Sequence, residues 1–182
     1  MQQEYTFTRF EQACAKYPDN TAIIFLGEKF SYRDLKNKID RFATGLTKLG
    51  VKKGDRVLVY LSNSVQFVIA FLAAQKIGAV VVMVSPIYTS HEIEYMIKDS
   101  GAETIICHDT NYGYVKEVFP RTGLKKIIVT NLLDLVSPLK ILVAGLFDKN
   151  PHGTVKGGDE TVAFKTLLKS KPAPPRVDLD PT

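Results

Sequence analysis

Apolar positions along this chain change their spacing in a regular way. Leu35, Ile39, Phe42, Leu46 and Leu49 recur every three or four residues up to Gly50, the stripe of a helix that buries one face. Ser31 stands three residues before Asp34 at its start, the spacing of a capping box. "DRVLVYLS", "AVVVMVS", "TIIC" and "KKIIVT" are short β-branched runs without polar alternation, as strands buried on both faces read. Between them lie Val65 to Ile77, the stretch from Thr89 to Gly101 with Ile93, Met96 and Ile97 on one side, and Tyr112 to Phe119. Thr89 and Glu92 repeat the capping-box spacing. Strand and helix thus alternate from Arg56 to Thr130, which predicts β-α-β crossovers and a largely parallel sheet with helices on both faces. Upstream, Thr6 to Lys16 reads as a helix, and Ala22 to Leu26 with Lys29 to Ser31 as a small N-terminal hairpin around Gly27-Glu28. The fold class expected is α/β.

After Thr130 the pattern shifts. Leu132, Leu135, Val136, Leu139, Leu142, Val143, Leu146 and Phe147 keep helical spacing, with Ser137-Pro138 suited to an N-cap and first turn. Asp134 and Lys140 make this run too charged and too short to cross a bilayer. Leu139, Leu142, Val143, Leu146 and Phe147 form a candidate face toward membrane or a partner. "GTVKGGD" reads as a surface loop, "TVAFKTLLKSK" as a short helix, and "PAPPRVDLDPT" as an extended proline-rich connector. The expected organisation is a subdomain over 1–130, a helical and loop insertion over 131–171, and the connector over 172–182.

Composition narrows the classes. The chain has 182 residues, 45% apolar and 24% charged, as soluble globular proteins do. A net charge of +5 raises the question of nucleic acid, but the basic residues are scattered in short pairs such as Lys52-Lys53 and Lys125-Lys126, so no nucleic-acid partner is expected. Val65 to Val84 has the length of a membrane span, yet Gln66, Gln75, Lys76 and Gly78 divide it into a helix and a strand. No basic n-region precedes an apolar stretch at the N-terminus, and Cys14 and Cys107 have no CxxC spacing. Both features read as a cytoplasmic protein, with peripheral membrane association through the 139–147 face as its one qualification.

Candidate chemistry is sparse. "GTVKGGD" lacks the Gly-Lys-Ser/Thr ending of a phosphate-binding loop, and Asp159 would repel phosphate. That disfavours a small nucleotide-binding switch. His91, His108 and His152 are far apart, and Cys107 and His108, as strand neighbours, point to opposite faces. No metal-ligand spacing occurs, so no catalytic, cofactor-binding or metal residue is assigned. The end of the "AVVVMVS" strand is the exception: ligands of open α/β sheets lie beyond the carboxyl ends of strands, which makes Pro86, Ile87 and Tyr88 a candidate site-bordering loop.

One ordered set of phrases is more specific. "SYRDL", "LGVKKGDRV", "FLAAQKIGAVVV", "SPIYTSHEIEY" and "DSGAETII", spread over Phe30 to Ile106, resemble in order the N-terminal segment of the adenylate-forming (AMP-binding) acyl-CoA synthetases. "VDLDPT" resembles the approach to that family's phosphate-binding loop, and the loop itself and the later motifs are not in this sequence. The resemblance implies the N-terminal portion of an enzyme that uses ATP and Mg²⁺ to convert a carboxylate to an acyl-adenylate, and then coenzyme A to displace AMP. This portion alone is expected neither to be catalytically competent nor to bind those cofactors. The apolar run at 139–147 resembles an insertion of long-chain fatty-acid ligases, so a fatty acid is the expected substrate, with an aryl or other acid as the alternative. A non-catalytic interaction module or homodimer built on the same domain is the competing reading.

Overall fold

The computed structural model describes residues 6–137, 153–175 and 177. Helix α1 spans Thr6–Lys16, and strands β1 (Thr21–Phe25) and β2 (Glu28–Ser31) pair as an antiparallel hairpin. Leu26 and Gly27 both take positive φ at its tip (48° and 74°), the left-handed pair that matches the twist of the flanking strands. Then come α2 (Tyr32–Lys48), β3 (Arg56–Tyr60), α3 (Val65–Lys76), β4 (Val80–Met83), α4 (Ser90–Ser100), β5 (Thr104–His108), α5 (Tyr112–Val118), β6 (Lys126–Thr130), β7 (Thr161–Ala163) and α6 (Phe164–Leu168).

Strands β3 to β7 form one parallel sheet in the order β4-β3-β5-β6-β7. Side chains alternate along each strand, so the sheet carries two separate apolar layers. Val57, Val59, Ile106 and Ile128 pack with α2, α3, α6 and the hairpin on one face. Leu58, Tyr60, Ile105, Cys107 and Ile127 pack with α4 and α5 on the other. Crossovers through α3 and through α4 and α5 run in opposite directions on opposite faces, which gives them one hand.

Local chemistry sets the helix ends. The Ser31 hydroxyl accepts from the Asp34 amide at 3.1 Å, while the Asp34 carboxylate accepts from the Ser31 amide at 3.3 Å, completing the capping box. At α4 the carboxylate half forms: Glu92 accepts from the Thr89 amide at 2.9 Å and also from the Thr89 hydroxyl. Gly101 ends α4 in the left-handed region (φ 63°).

One expectation is corrected. "TVAFKTLLKSK" is not a single helix: Thr161–Ala163 is a strand on β6, and only Phe164–Leu168 is helical. The start of the apolar run after Thr130, ahead of the expected cap at Ser137, is not helical. Residues 132–135 turn, because the Asp134 carboxylate accepts from the Thr130 hydroxyl and the Asn131 amide, both at 2.9 Å, and closes a local loop. The proposed apolar face (Leu139, Leu142, Val143, Leu146, Phe147) lies outside the described residues. No helix among the described residues is long and apolar enough to cross a membrane.

Candidate functional site

Because all five sheet strands run the same way, their carboxyl ends gather the following loops along one edge. Strand order decides which side chains meet there. β3 lies between β4 and β5, so residues distant in sequence become neighbours. Tyr60 pairs with Cys107 in the ladder, and the next residues outward bring the Ser62 hydroxyl to 3.0 Å from His108 Nε2.

Tyr60 is fully buried, yet its hydroxyl reaches this edge. It donates to the Tyr88 carbonyl and accepts from the Asn111 amide group at 2.6 Å. Asn111 also donates to the Pro86 carbonyl at 2.9 Å. These bonds hold the backbone of the Ser85–Tyr88 turn from beneath, so its side chains face outward. Ile87 is 82% exposed and Tyr88 partly so. Of the candidate loop Pro86, Ile87 and Tyr88, the structure places Pro86 in the wall of an edge cleft and leaves Ile87 and Tyr88 out of that wall.

That cleft holds about 190 Å³ between Ser62, Pro86, His108, Asp109, Asn111 and Leu132. Burial pulls the His108 imidazole below its ordinary pKa, more than Asp109, the Thr130 backbone and Asp134 restore it, so the ring is neutral at pH 7. The Asp109 carboxylate does not orient the imidazole. It accepts from the Asn131 side chain at 2.8 Å and the Gly153 amide at 3.2 Å, tying together the loops after β5 and β6. A serine and a histidine without an aspartate behind them lack the third member of a hydrolytic triad. The arrangement offers a hydroxyl, a neutral imidazole and an amide: groups that hydrogen-bond a small polar moiety.

Nucleotide phosphates do not fit this cleft. Its lining has the Asp109 carboxylate and no lysine or arginine. Cations cluster instead around a cavity of about 510 Å³ at the opposite end of the strands, with Lys52, Arg56, Lys125 and Lys126. Arg56 there donates to the carbonyls of Gly54, Ser100 and Gly101, and Lys125 pairs with Glu103 at 2.7 Å. Among the described residues no three His, Cys, Asp or Glu side chains are grouped to hold a metal. Cys107 is buried in the α4/α5 layer, where burial pushes its thiol far above the ordinary range and keeps it inert.

Sequence reading found the Ser85–Tyr88 turn and the opposite facing of Cys107 and His108. It missed Tyr60, Ser62 and Asn111. Each sits at or just past a strand end, but the signal that joins them is the order β4-β3-β5, which no local spacing encodes.

Known proteins resemble this chain over most of its length. A family described as AMP-binding enzyme matches residues 10–174. A long-chain-fatty-acid–CoA ligase of Escherichia coli O6:H1 is 35% identical over 132 residues, 72% of this chain and 24% of the relative. The 4-coumarate–CoA ligase 3 of Arabidopsis thaliana is 43% identical over 142 residues, 78% of this chain and 23% of the relative. The crystal structure of coronafacic acid ligase from Pectobacterium brasiliense shares the fold with a TM-score of 0.72 at 24% identity, over 92% of this chain and 30% of that one. The chain thus spans about a quarter of the length of these curated relatives. On the strength of the match across residues 10–174, it belongs to the AMP-binding enzyme family.

Proposed function

We propose that this chain is the N-terminal scaffold of an ATP-dependent acid–thiol ligase whose acid is a medium- or long-chain fatty acid. In this reading ATP and Mg²⁺ convert the carboxylate to an acyl-adenylate, and the coenzyme A thiol then displaces AMP. On the same reading the nucleotide chemistry belongs to parts of the enzyme beyond the described residues. The described residues contribute the sheet edge with its braced Ser85–Tyr88 turn. The observation that carries the reading is the family match over residues 10–174, joined to the similarity with the E. coli long-chain ligase.

An aryl acid is the second reading, favoured by the 43% identity to the Arabidopsis 4-coumarate ligase. Pyrophosphate exchange by the full-length gene product, run with palmitate, 4-coumarate and benzoate, separates them. Palmitate is expected to give the highest kcat/KM, by roughly tenfold or more. Faster exchange with 4-coumarate would replace the fatty acid by an aryl acid. No exchange with any acid would leave the non-catalytic module as the better account.

A further inference from the structure

We infer that Ser62 and His108 form an acyl-accepting dyad: the Ser62 hydroxyl takes a short acyl group from an activated ester or thioester, with His108 as its base. The inference concerns this pair alone and holds whichever acid the ligase reading assigns. Contact, access and tautomer together set the pair apart from a buried histidine satisfied by a neighbouring hydroxyl.

Ser62 stands two residues past β3 and three ahead of α3, so a strand-to-helix turn presents it at the carboxyl edge of the sheet. It is half-buried and lines the 190 Å³ cleft, from which a carbonyl carbon can reach its oxygen. His108 ends β5 and is only 4% exposed. Its Nε2 lies 3.0 Å from Ser62 Oγ, within the reach a general base needs. The ladders that pair Tyr60 with Cys107 and His108 with Thr130 fix the backbone behind this contact.

The other ring nitrogen decides the direction of the hydrogen bond. Nδ1 is buried and makes no hydrogen bond of normal length and angle, while the Thr130 backbone beside the ring favours its protonation. A proton on Nδ1 leaves Nε2 as the acceptor and Ser62 as the donor. Asp109 and Asp134 are the carboxylates that act on the ring, and burial outweighs both, so the imidazole is neutral at pH 7 and free to take a proton.

In the step itself the Ser62 oxygen bonds to the acyl carbonyl carbon and its proton passes to His108 Nε2. That proton then goes to the departing alkoxide or thiolate as the original ester bond breaks. Pro86 and Leu132 give the cleft an apolar wall, and its volume suits a short acyl chain. Its side-chain amide and hydroxyl donors are committed: Thr110 donates to Asn111 Oδ1, and Asn111 to Tyr60 and Pro86. With none of them free to hold an oxyanion, acylation is slow and the acyl-serine accumulates instead of turning over.

Incubation of the full chain with p-nitrophenyl acetate, followed by peptide mass mapping, tests this. Ser62 is expected to carry one acetyl group, added at a rate that is level above about pH 7 and falls below it as His108 takes its proton. Ser62→Ala should remove that label, and His108→Gln, which keeps a hydrogen-bonding side chain, should slow its addition about a hundredfold. An unlabelled Ser62 in the wild type, or label confined to lysines and cysteines, would overturn the inference, and the wild-type map decides both without any variant. So would an equal rate in His108→Gln, or a rate that climbs with hydroxide across the whole pH range.

Discussion

His108 is the described group at the candidate site that titrates nearest neutral pH, and its behaviour follows from position. Its ordinary pKa is 6.5, and burial lowers it in the folded protein. In the interval between the two values the unfolded chain binds the proton and the folded chain does not. Stability from this group is therefore full above about pH 6.5 and declines as pH falls through that value toward the folded one. The carboxylates held low by hydrogen bonds, such as Glu94 by Lys98 and Glu160 by Lys116, titrate below their ordinary 4.5 and leave this window to the histidine. Melting at pH 7.5 and 5.5 checks the assignment. The wild type should lose Tm on acidification, and His108→Gln, which can still hydrogen-bond Ser62, should lose clearly less. Equal losses would remove His108 from the account.

Between elements, close approach outweighs intrinsic preference. Gly45 lies inside α2, where alanine would normally favour the helix by about 1 kcal/mol. A β-carbon there would stand 2.6 Å from Leu167 Cβ and 2.9 Å from its Cα, so α6 would have to move away. Gly45→Ala is expected to destabilise by about 1–3 kcal/mol despite the better propensity. Chemical denaturation measures it, and a stabilised variant would mean that α6 yields freely. This contact also marks what the sequence could not disclose. The strands from Arg56 to Thr130 were legible because parallel strands buried on both faces become unbroken β-branched runs, and α2 and α4 because their caps and stripes are local. Strand β7 was not, since three residues merging directly into a helix have no period of their own. The Ser62–His108 contact was hidden for a different reason. It depends on β3 standing beside β5, and that order arises only when the whole sheet forms.

Across the molecule, two apolar layers share one sheet, and the hairpin-side layer is closed by a unit that comes late in the chain. Phe164 is fully buried against Phe42, with ring centroids 4.2 Å apart, and Leu167 covers Gly45. These contacts hold α6 on α2, and β7 adds three residues to the edge of β6. So short a strand contributes little by itself, which leaves the Phe164 ring as the main anchor. Phe164→Ala should cost about 3–5 kcal/mol, or roughly 6–20 °C in Tm at about 2–4 °C per kcal/mol for a chain of this size. Where that loss appears distinguishes a local release from a global one. The Ile127 amide donates to the Glu160 carbonyl just ahead of β7, whereas the Val84 amide donates to Val59 at the far side of the sheet. In Phe164→Ala, exchange at Ile127 should accelerate at least about tenfold more than at Val84. Equal acceleration at both would mean that β7 and α6 open only with the whole sheet, and that the two layers form a single cooperative unit.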